Sequence, residues 1–576
     1  MKYVIIGAVA GGASTGARLR RMDEQAEIVM FERGAYVSYA NCGLPYYIGN
    51  VIKDRNKLFV QTAAGFKERF NIDVRISTEV ITIDRAAKKV TARNLLTDEV
   101  YEETYDKLVL SPGAEPVRPP LPGINLPGIF TLRSVPDTDT IKNFATANST
   151  KKAIVVGAGF IGLEMAENMH ELGIEVSIVE MAGQVMAPVD FPIAAFVQQH
   201  IRLHGIDLKL NTAVSSFEKT ETGLKVNYNN GLSEEADMVI LSIGVRPDTK
   251  LATAAGLKLG DAKGIWVNEY LQTSDPDIYA VGDAIEFVNP ITGKSMSTFL
   301  AGPANKQGRI CADNIVLGNK RKYKGAINTA IVKVFNHTVA ATGVSVKNLK
   351  ALNIPHIVST TRSASHATYY PGSHNLTTQI AFSPEDGRLL GAQIVGVEGV
   401  DKRMDVLATL IQKGGTIYDL TEVEHSYAPP YSSAKDPVNM AGFVAENLLN
   451  GLFKVSYWDD LELHQKNENS LLIDVRTEKE FNNKTITGAV NIPVDEIRQR
   501  LDEIPKDKTI FIFCEIGLRG YLAQRILRQS GYQDVYNYSG GFSLYNMMNM
   551  ERELMAQYQK EVEMVKQNQP VEELTA

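Results

Sequence analysis

Short apolar runs, each closed by glycine and followed by a stretch with helical spacing, organise the chain. Tyr3-Val-Ile-Ile6 runs into Gly7-Ala-Val-Ala-Gly-Gly12 and then a helix carrying Arg18, Arg20 and Arg21; the next run, Ile28-Val-Met-Phe31, ends on Glu32. The same order returns at Ala153-Ile-Val-Val156, Gly157-Ala-Gly-Phe-Ile-Gly162 and Val176-Ser-Ile-Val-Glu180. Continuously apolar strands belong to parallel sheets covered on both faces, and their alternation with helices predicts an α/β fold. After Asn450-Gly451 the alternation restarts at Trp458-Asp-Asp-Leu, so a further, small α/β domain is expected there. Residues 551–576 mix Glu, Gln and Lys with Leu, Met and Val, and read as an exposed helix fraying into a disordered tail.

Residues 2–17 superficially imitate a secretory leader, with Lys2, an apolar run and Ala8-Val-Ala10. Polar Ser14 and Thr15 and basic Arg18 continue straight into the helix, so a buried strand with a tight glycine turn is the better reading. No run reaches the ~20 apolar residues that would span a bilayer. At 576 residues the chain predicts several domains. A net charge of −7 gives no reason to expect nucleic acid. Three cysteines, Cys42, Cys311 and Cys514, can form neither a disulfide framework nor a four-cysteine zinc site, and no metal centre is expected. Reduced thiols fit a cytoplasmic setting.

The two glycine-rich turns are dinucleotide cradles. A tight turn lets the backbone approach a pyrophosphate at a helix N-terminus, where free N–H groups attract anions. Gly7 and Gly12 frame the first, with Val9 replacing the middle glycine; Glu32 is placed to meet a ribose, beside Arg33. Gly157, Gly159 and Gly162 complete the second. Glu180 there would bond a ribose 2′-hydroxyl and repel a 2′-phosphate, which favours NADH over NADPH.

A third segment, Thr273-Ser-Asp-Pro-Asp-Ile-Tyr-Ala-Val-Gly-Asp283, resembles the second flavin signature of flavoproteins with two dinucleotide-binding domains, with Gly282 and Asp283 at the ribityl chain. Leu108-Val-Leu-Ser-Pro-Gly113 and Val239-Ile-Leu-Ser-Ile-Gly-Val-Arg-Pro247 resemble the crossover strands of that family. The resemblance implies FAD on residues 1–115 and 265–322, NAD on 116–264, and an α+β dimerisation domain over 323–450.

Cys42 lies in Ser38-Tyr-Ala-Asn-Cys-Gly-Leu-Pro-Tyr-Tyr47. The disulfide reductases of this superfamily carry Cys-x₄-Cys here; Tyr47 takes the second position. A lone thiol can hold reducing equivalents only as a mixed disulfide, a persulfide or a sulfenic acid. Thiolate is the reactive form, so a site that lowers the Cys42 pKa is expected. The run resembles the coenzyme A-disulfide reductases and their single-cysteine relatives, the NADH oxidases and peroxidases, over about residues 1–446. In the coenzyme A branch a basic first helix meets the coenzyme's phosphates, which implies Ser14, Arg18 and Arg21 as contacts, with Ser38 and Asn41 flanking the thiol. Asn305 stands where some members carry a histidine at the coenzyme. Phe70 occupies the place of a basic residue, with Lys67 and Arg69 nearby. Tyr369 in His366-Ala-Thr-Tyr-Tyr-Pro-Gly372, with Tyr427 and Lys435 in the run Tyr427–Asp436, resemble partner-subunit residues completing that site: hydroxyl donors and a phosphate contact in a homodimer.

The last domain, residues 457–550, is similar to a single rhodanese domain through Leu471-Leu-Ile-Asp-Val-Arg476, Gly488-Ala-Val-Asn-Ile-Pro493 and the loop Cys514-Glu-Ile-Gly-Leu-Arg519. Loop N–H groups and Arg519 would surround an anionic sulfur on Cys514, and Glu515 would raise its pKa if it pointed inward. Cys311, inside a helix, reads as structural. The expected enzyme is an FAD-dependent NADH oxidoreductase reducing coenzyme A persulfide, polysulfide or coenzyme A disulfide at Cys42, with sulfane sulfur passed on by Cys514. An NADH oxidase or peroxidase with a rhodanese sensor, and a non-catalytic sulfur carrier, remain open alternatives.

Overall fold

The computed structural model describes residues 1–147 and 150–568. They form two compact units, the described residues within 1–181 and 206–328 and those within 182–205 and 329–568.

The first unit holds two five-stranded parallel sheets. One runs in the order Ile278–Ala280, Lys107–Leu110, Lys2–Ile6, Glu27–Phe31, Asp73–Arg75. The other runs Asp207–Lys209, Glu175–Val179, Lys152–Val156, Met238–Leu241, Ile129–Thr131. In each, the strand before the glycine turn is central, and its residues are almost wholly buried, as helices on both faces require. The segment carrying Asp283 returns to the first sheet: Ile278–Ala280 pairs with Leu108–Leu110, across from Lys2–Ile6. Two distant stretches of sequence thereby build one sheet edge, so the polar groups at its strand ends converge.

The second unit contains a five-stranded antiparallel sheet in the order Ala330–Val334, His337–Gly343, Leu389–Gly396, Asn375–Phe382, Ile357–Ala364. A five-stranded parallel sheet follows, with Thr509–Phe513 at its centre and Cys514 just past that strand's end. The helix Phe191–Leu203 lies in sequence inside the segment expected to bind NAD, yet it clusters with this unit. Its Pro192 sits in the first turn, where a missing N–H costs nothing. The helix after Gly541 extends to Asn568; from residue 551 to 565 it is mostly exposed, as expected, with Glu551 and Val562 the buried exceptions. Residues 569–576, the end of the expected tail, lie outside the described residues.

Candidate functional site

Gly7 has φ +94°, and a Cβ there would sit 2.1 Å from the Ser111 carbonyl; one on Gly12 would sit 1.8 Å from the Gly7 carbonyl. Both positions exclude any side chain. The helix Ala10–Met22 starts without a side-chain cap, so its first N–H groups remain for a ligand. Glu32 accepts from Ala8 N at 3.0 Å and Gly34 N at 2.8 Å. Gly113 is left-handed and lies against Arg133, whose Nη1 is buried with no hydrogen-bond partner. Gly282 is also left-handed, and burial pushes the neighbouring Asp283 up to about 6, with Arg133 opposing. An orphaned guanidinium nitrogen and a desolvated carboxyl beside an uncapped helix fit a bound group carrying phosphates and hydroxyls. Arg33, by contrast, leans toward Glu115 and Asp248 at 3.7 and 3.6 Å.

The second cradle repeats the geometry. Gly157 has φ +100°, a Cβ on Gly162 would meet the Gly157 carbonyl at 2.0 Å, and Gly159 faces open space. The helix Phe160–Glu171 again lacks a side-chain cap. Glu180 accepts from Ala158 N at 2.7 Å, as Glu32 does from Ala8 N. Both sites therefore present a free helix end and a carboxylate fixed beside it.

Cys42 occupies a 3₁₀ turn, Asn41–Gly43, leading into the helix Leu44–Ile48. It is a free, exposed thiol, and Asn41 beside it is also exposed. Ser38 takes a left-handed conformation at φ +45°, a strained state for a residue with a side chain. Three backbone bonds hold it there: Ser38 N donates to Ala8 O, while Val60 N and Gln61 N donate to Ser38 O. The cysteine segment is thus pinned to the first glycine turn. Lys142 secures its far end, donating to Tyr47 O at 2.5 Å with its ammonium 4.0 Å from the Tyr47 ring centre.

The expected lowering of the Cys42 pKa is not what the protein's own groups produce. Surrounding protein mass raises it, and Glu164 and Asp283 add to the rise. Both are acids, and a backbone hydrogen bond at Cys42 opposes them without reversing the rise. Glu164 went unremarked in the sequence. It follows the second glycine turn by two residues, accepts from Tyr46 Oη at 3.1 Å, and is pushed up to about 7, chiefly by burial. Its position after Gly162 was a usable signal; its proton affinity was not.

Of the expected coenzyme contacts, Ser14 and Asn305 meet: Ser14 Oγ lies 2.5 Å from Asn305 Oδ1, from helices distant in sequence. Arg18 instead donates through Nε to the buried Asp313 at 2.7 Å. Arg20 is buried and donates to five backbone carbonyls, among them Phe70 O and Asn71 O, so it belongs to the core. Arg21 is the exposed cation of that helix.

In the second unit Tyr369 and Tyr427 are both exposed and their hydroxyls hydrogen-bond. Lys435 is exposed, next to the wholly buried Asp436. Cys514 is buried, with Gly517 N directed at its Sγ from 3.1 Å. Gly517 has φ +110°, which turns the loop into the helix Leu518–Gln529. Arg519 is gripped by both oxygens of Glu480 at 2.7 Å. Glu515 points not inward but to Arg476, at 3.2 Å. Cys311 is wholly buried, and burial drives its thiol far up, as a structural role requires. Among the described residues no acidic, histidine or cysteine cluster could hold a metal, and no helix is long and apolar enough to cross a membrane.

Residues 1–308 match the family model of the pyridine nucleotide-disulphide oxidoreductases, 329–437 that family's dimerisation domain, and 458–548 the rhodanese-like domain. The chain is 37% identical over 453 residues to a coenzyme A disulfide reductase of Staphylococcus haemolyticus, covering 78% of this chain and all of that protein. The structure of reduced CoADR-RHD from Bacillus anthracis superposes with a TM-score of 0.94 at 48% identity, over 96% of this chain and 98% of that one. A NAD-dependent persulfide reductase from A. fulgidus superposes with a TM-score of 0.88 at 38% identity, over 94% and 100%.

Proposed function

The chain belongs to the pyridine nucleotide-disulphide oxidoreductase family and ends in a rhodanese-like domain, and from that premise we propose an NADH-dependent coenzyme A persulfide or disulfide reductase with a built-in sulfurtransferase. The observation that carries it is the pairing of two free thiols of different setting in one chain. Cys42 is exposed beside a dinucleotide cradle with Tyr47 where a second cysteine would stand; Cys514 is buried under a loop N–H.

FAD, when bound, supplies two-electron transfer between NADH and sulfur. The chain's residues do the rest. Gly7, Gly12, Glu32, Arg33, Gly113, Gly282 and Asp283 hold the flavin on residues 1–115 and 265–322. Gly157, Gly159, Gly162 and Glu180 hold NADH on the segment 116–264, apart from the helix Phe191–Leu203. Cys42 thiolate would attack the S–S bond of the carrier's disulfide or persulfide, releasing the carrier thiolate and keeping the other sulfur as a mixed disulfide or a Cys42 persulfide. Two electrons would then cleave that bond, returning Cys42 as thiolate and freeing the second thiol or hydrosulfide. Ser14, Arg21, Ser38, Asn41, Asn305 and Lys435 orient the carrier, with Arg18 contributing what Asp313 leaves free. Tyr369 and Tyr427 of a second copy supply protons to the departing thiolate, in a cytoplasmic homodimer; their exposure and the dimerisation-domain match support that arrangement. Cys514 accepts sulfane sulfur and hands it to the carrier.

Anaerobic NADH oxidation tests this with coenzyme A persulfide, coenzyme A disulfide and hydrogen peroxide as separate acceptors. Turnover with the sulfur acceptors, lost in Cys42→Ser, is expected; in Cys514→Ser, supply of sulfur from an external donor is lost while coenzyme A disulfide reduction persists. Turnover with peroxide alone would replace this reading with a peroxidase.

A further inference from the structure

Arg362 is a partly buried cation that the family resemblance does not use. It lies on Ile357–Ala364, the edge strand of the antiparallel sheet. The rhodanese-like domain is fastened to this strand. Tyr457 Oη donates to Val358 O at 3.0 Å, and Thr360 N donates to Ser539 Oγ at 3.2 Å. Ser539 is joined through Gly540 and Gly541 to Phe542, whose N–H donates to Cys514 O at 2.7 Å. A Cβ on Gly541 would press into the Cys514 and Glu515 carbonyls, so the cysteine loop is seated directly on this connection.

Two residues beyond Thr360, and therefore on the same face of the strand, stands Arg362. Its guanidinium lies 5.7 Å from the ring centre of Phe196, and Nε is buried without a hydrogen-bond partner. Among the described residues it has no ion pair within bonding distance. Glu515, the residue after Cys514, is the acid close enough to raise the Arg362 pKa against the burial that lowers it, but its own carboxylate is paired with Arg476. Gln379 lies opposite Thr360 across the sheet, and its Oε1 is likewise buried and unpartnered. A desolvated guanidinium without a counter-ion is costly, and a bound anion is what relieves it. The other cations of this region, Arg476 and Arg519, already have carboxylate partners in Asp474 and Glu480.

We propose that Arg362, though part of the dimerisation sheet, completes the Cys514 site by holding the anionic group of the sulfane-sulfur donor. The inference rests on Cys514 being a sulfur acceptor. The donor class is a sulfane sulfur on an oxyanion-bearing carrier: thiosulfate, or an organic persulfide with a carboxylate. Cys514 thiolate attacks the outer sulfur; the donor's S–S bond breaks, and the carrier leaves with the electron pair as thiolate, or as sulfite from thiosulfate. A new S–S bond forms on Cys514, the transferred sulfur keeping whatever proton it carried on an organic persulfide and remaining anionic when it comes from thiosulfate, and no net oxidation occurs.

The test uses the full-length protein with thiosulfate, glutathione persulfide and 2-hydroxyethyl persulfide, whose carrier bears no oxyanion, as donors, following persulfide on the Cys514 peptide by mass spectrometry. Arg362→Met should raise the KM for the two oxyanion-bearing donors about tenfold, the size of one charge-assisted contact, and leave the hydroxyethyl donor and NADH-driven coenzyme A disulfide reduction unchanged. Arg362→Lys should fall between the two. A response to thiosulfate alone would assign an inorganic oxyanion, and to glutathione persulfide alone an organic carboxylate. Equal change with all three donors, or none, overturns the role of Arg362 while leaving Cys514 as an acceptor. No persulfide from any donor overturns the acceptor reading and this inference with it.

Discussion

The hydroxyls of Tyr369 and Tyr427 lie 2.9 Å apart although 58 residues separate them in sequence. Arg403 holds the two segments together from behind. It is 1% exposed, donates to Ser365 O at 2.7 Å beside the first segment, and pairs with Asp436 at 2.9 Å at the end of the second. Ala367 N adds a direct bond to Ser432 O. Arg403→Met would leave Asp436 buried and uncompensated, at a cost of about 3–5 kcal/mol, read as a lowered urea midpoint. Tyr427→Phe and Tyr369→Phe should leave that midpoint within about 0.5 kcal/mol, as exposed positions do. Each should slow reduction about 10²-fold if it delivers a proton. Unaltered turnover in both tyrosine variants would exclude them from the chemistry.

Glu164 gives the Cys42 thiol a pH dependence of its own. Burial pushes Glu164 up to about 7; the Tyr46 hydrogen bond opposes this and Glu167 adds to it. Above about pH 7 the carboxylate is charged and works against a thiolate at Cys42, whose pKa it helps to raise. Glu164→Gln should therefore alkylate faster than wild type with iodoacetamide at Cys42, by several-fold at about pH 8 and little at about pH 6. The stability sign follows from the raised pKa. Between the ordinary glutamate value and about 7 the folded state binds the extra proton, so stability falls as pH climbs through that window. The glutamine variant should lack that slope. An identical alkylation profile in both proteins would show that Glu164 does not act on Cys42.

What the sequence disclosed was whatever repeats or turns. Gly7 and Gly157 announce their cradles because a left-handed residue packed against a carbonyl has one solution, and Glu32 and Glu180 follow at a fixed strand length. The Cys514 loop was legible for the same reason, as a strand end, a glycine and a helix in immediate succession. Long-range charge pairing was not. Nothing near Arg18 foretells Asp313, and nothing in Arg20 tells a solvated helix face from a core arginine bonding five carbonyls. The helix Phe191–Leu203 shows the same limit at the level of domains. Its sequence is an ordinary apolar-faced helix, and only tertiary packing decides which sheet it serves.

Glu480 and Arg519 form a two-pronged pair at the mouth of the Cys514 loop. Hydrogen bonds from Arg519 chiefly hold the Glu480 carboxyl down to about 2, with burial opposing and Thr477 assisting. A depressed carboxyl stabilises the fold above its ordinary pKa, and that contribution is lost as pH falls from about 4.5 toward 2. Glu480→Gln removes the charge and one prong. Amides of residues 515–519 should then exchange with deuterium about tenfold faster near neutral pH, and wild type should approach the variant as the medium is acidified. Equal protection in the two proteins at neutral pH would mean that the pair does not brace the loop.

Glu551 ties the last helix to Phe191–Leu203 and so fixes the rhodanese-like domain to the rest of its unit. It is wholly buried, accepting from Gln198 Nε2 at 2.7 Å and Gln199 Nε2 at 2.6 Å, with Arg202 Nε at 3.3 Å. Gln198 is committed on its other side, where Oε1 accepts from Val185 N, so it cannot turn to find another partner. Glu551→Ala strands three donors, two of them on buried side chains, and should cost about 3–5 kcal/mol. Glu551→Gln keeps the shape but offers only one acceptor oxygen and sets an amide N–H₂ against a donor, so a cost of about 1–3 kcal/mol is expected. Because the contact joins one domain to its neighbour, the alanine variant should melt in two calorimetric steps, with the rhodanese-like domain lost first. NADH-dependent coenzyme A disulfide reduction at Cys42 should survive the first step. A single transition at the wild-type temperature would show that the carboxylate is not what fastens the domain.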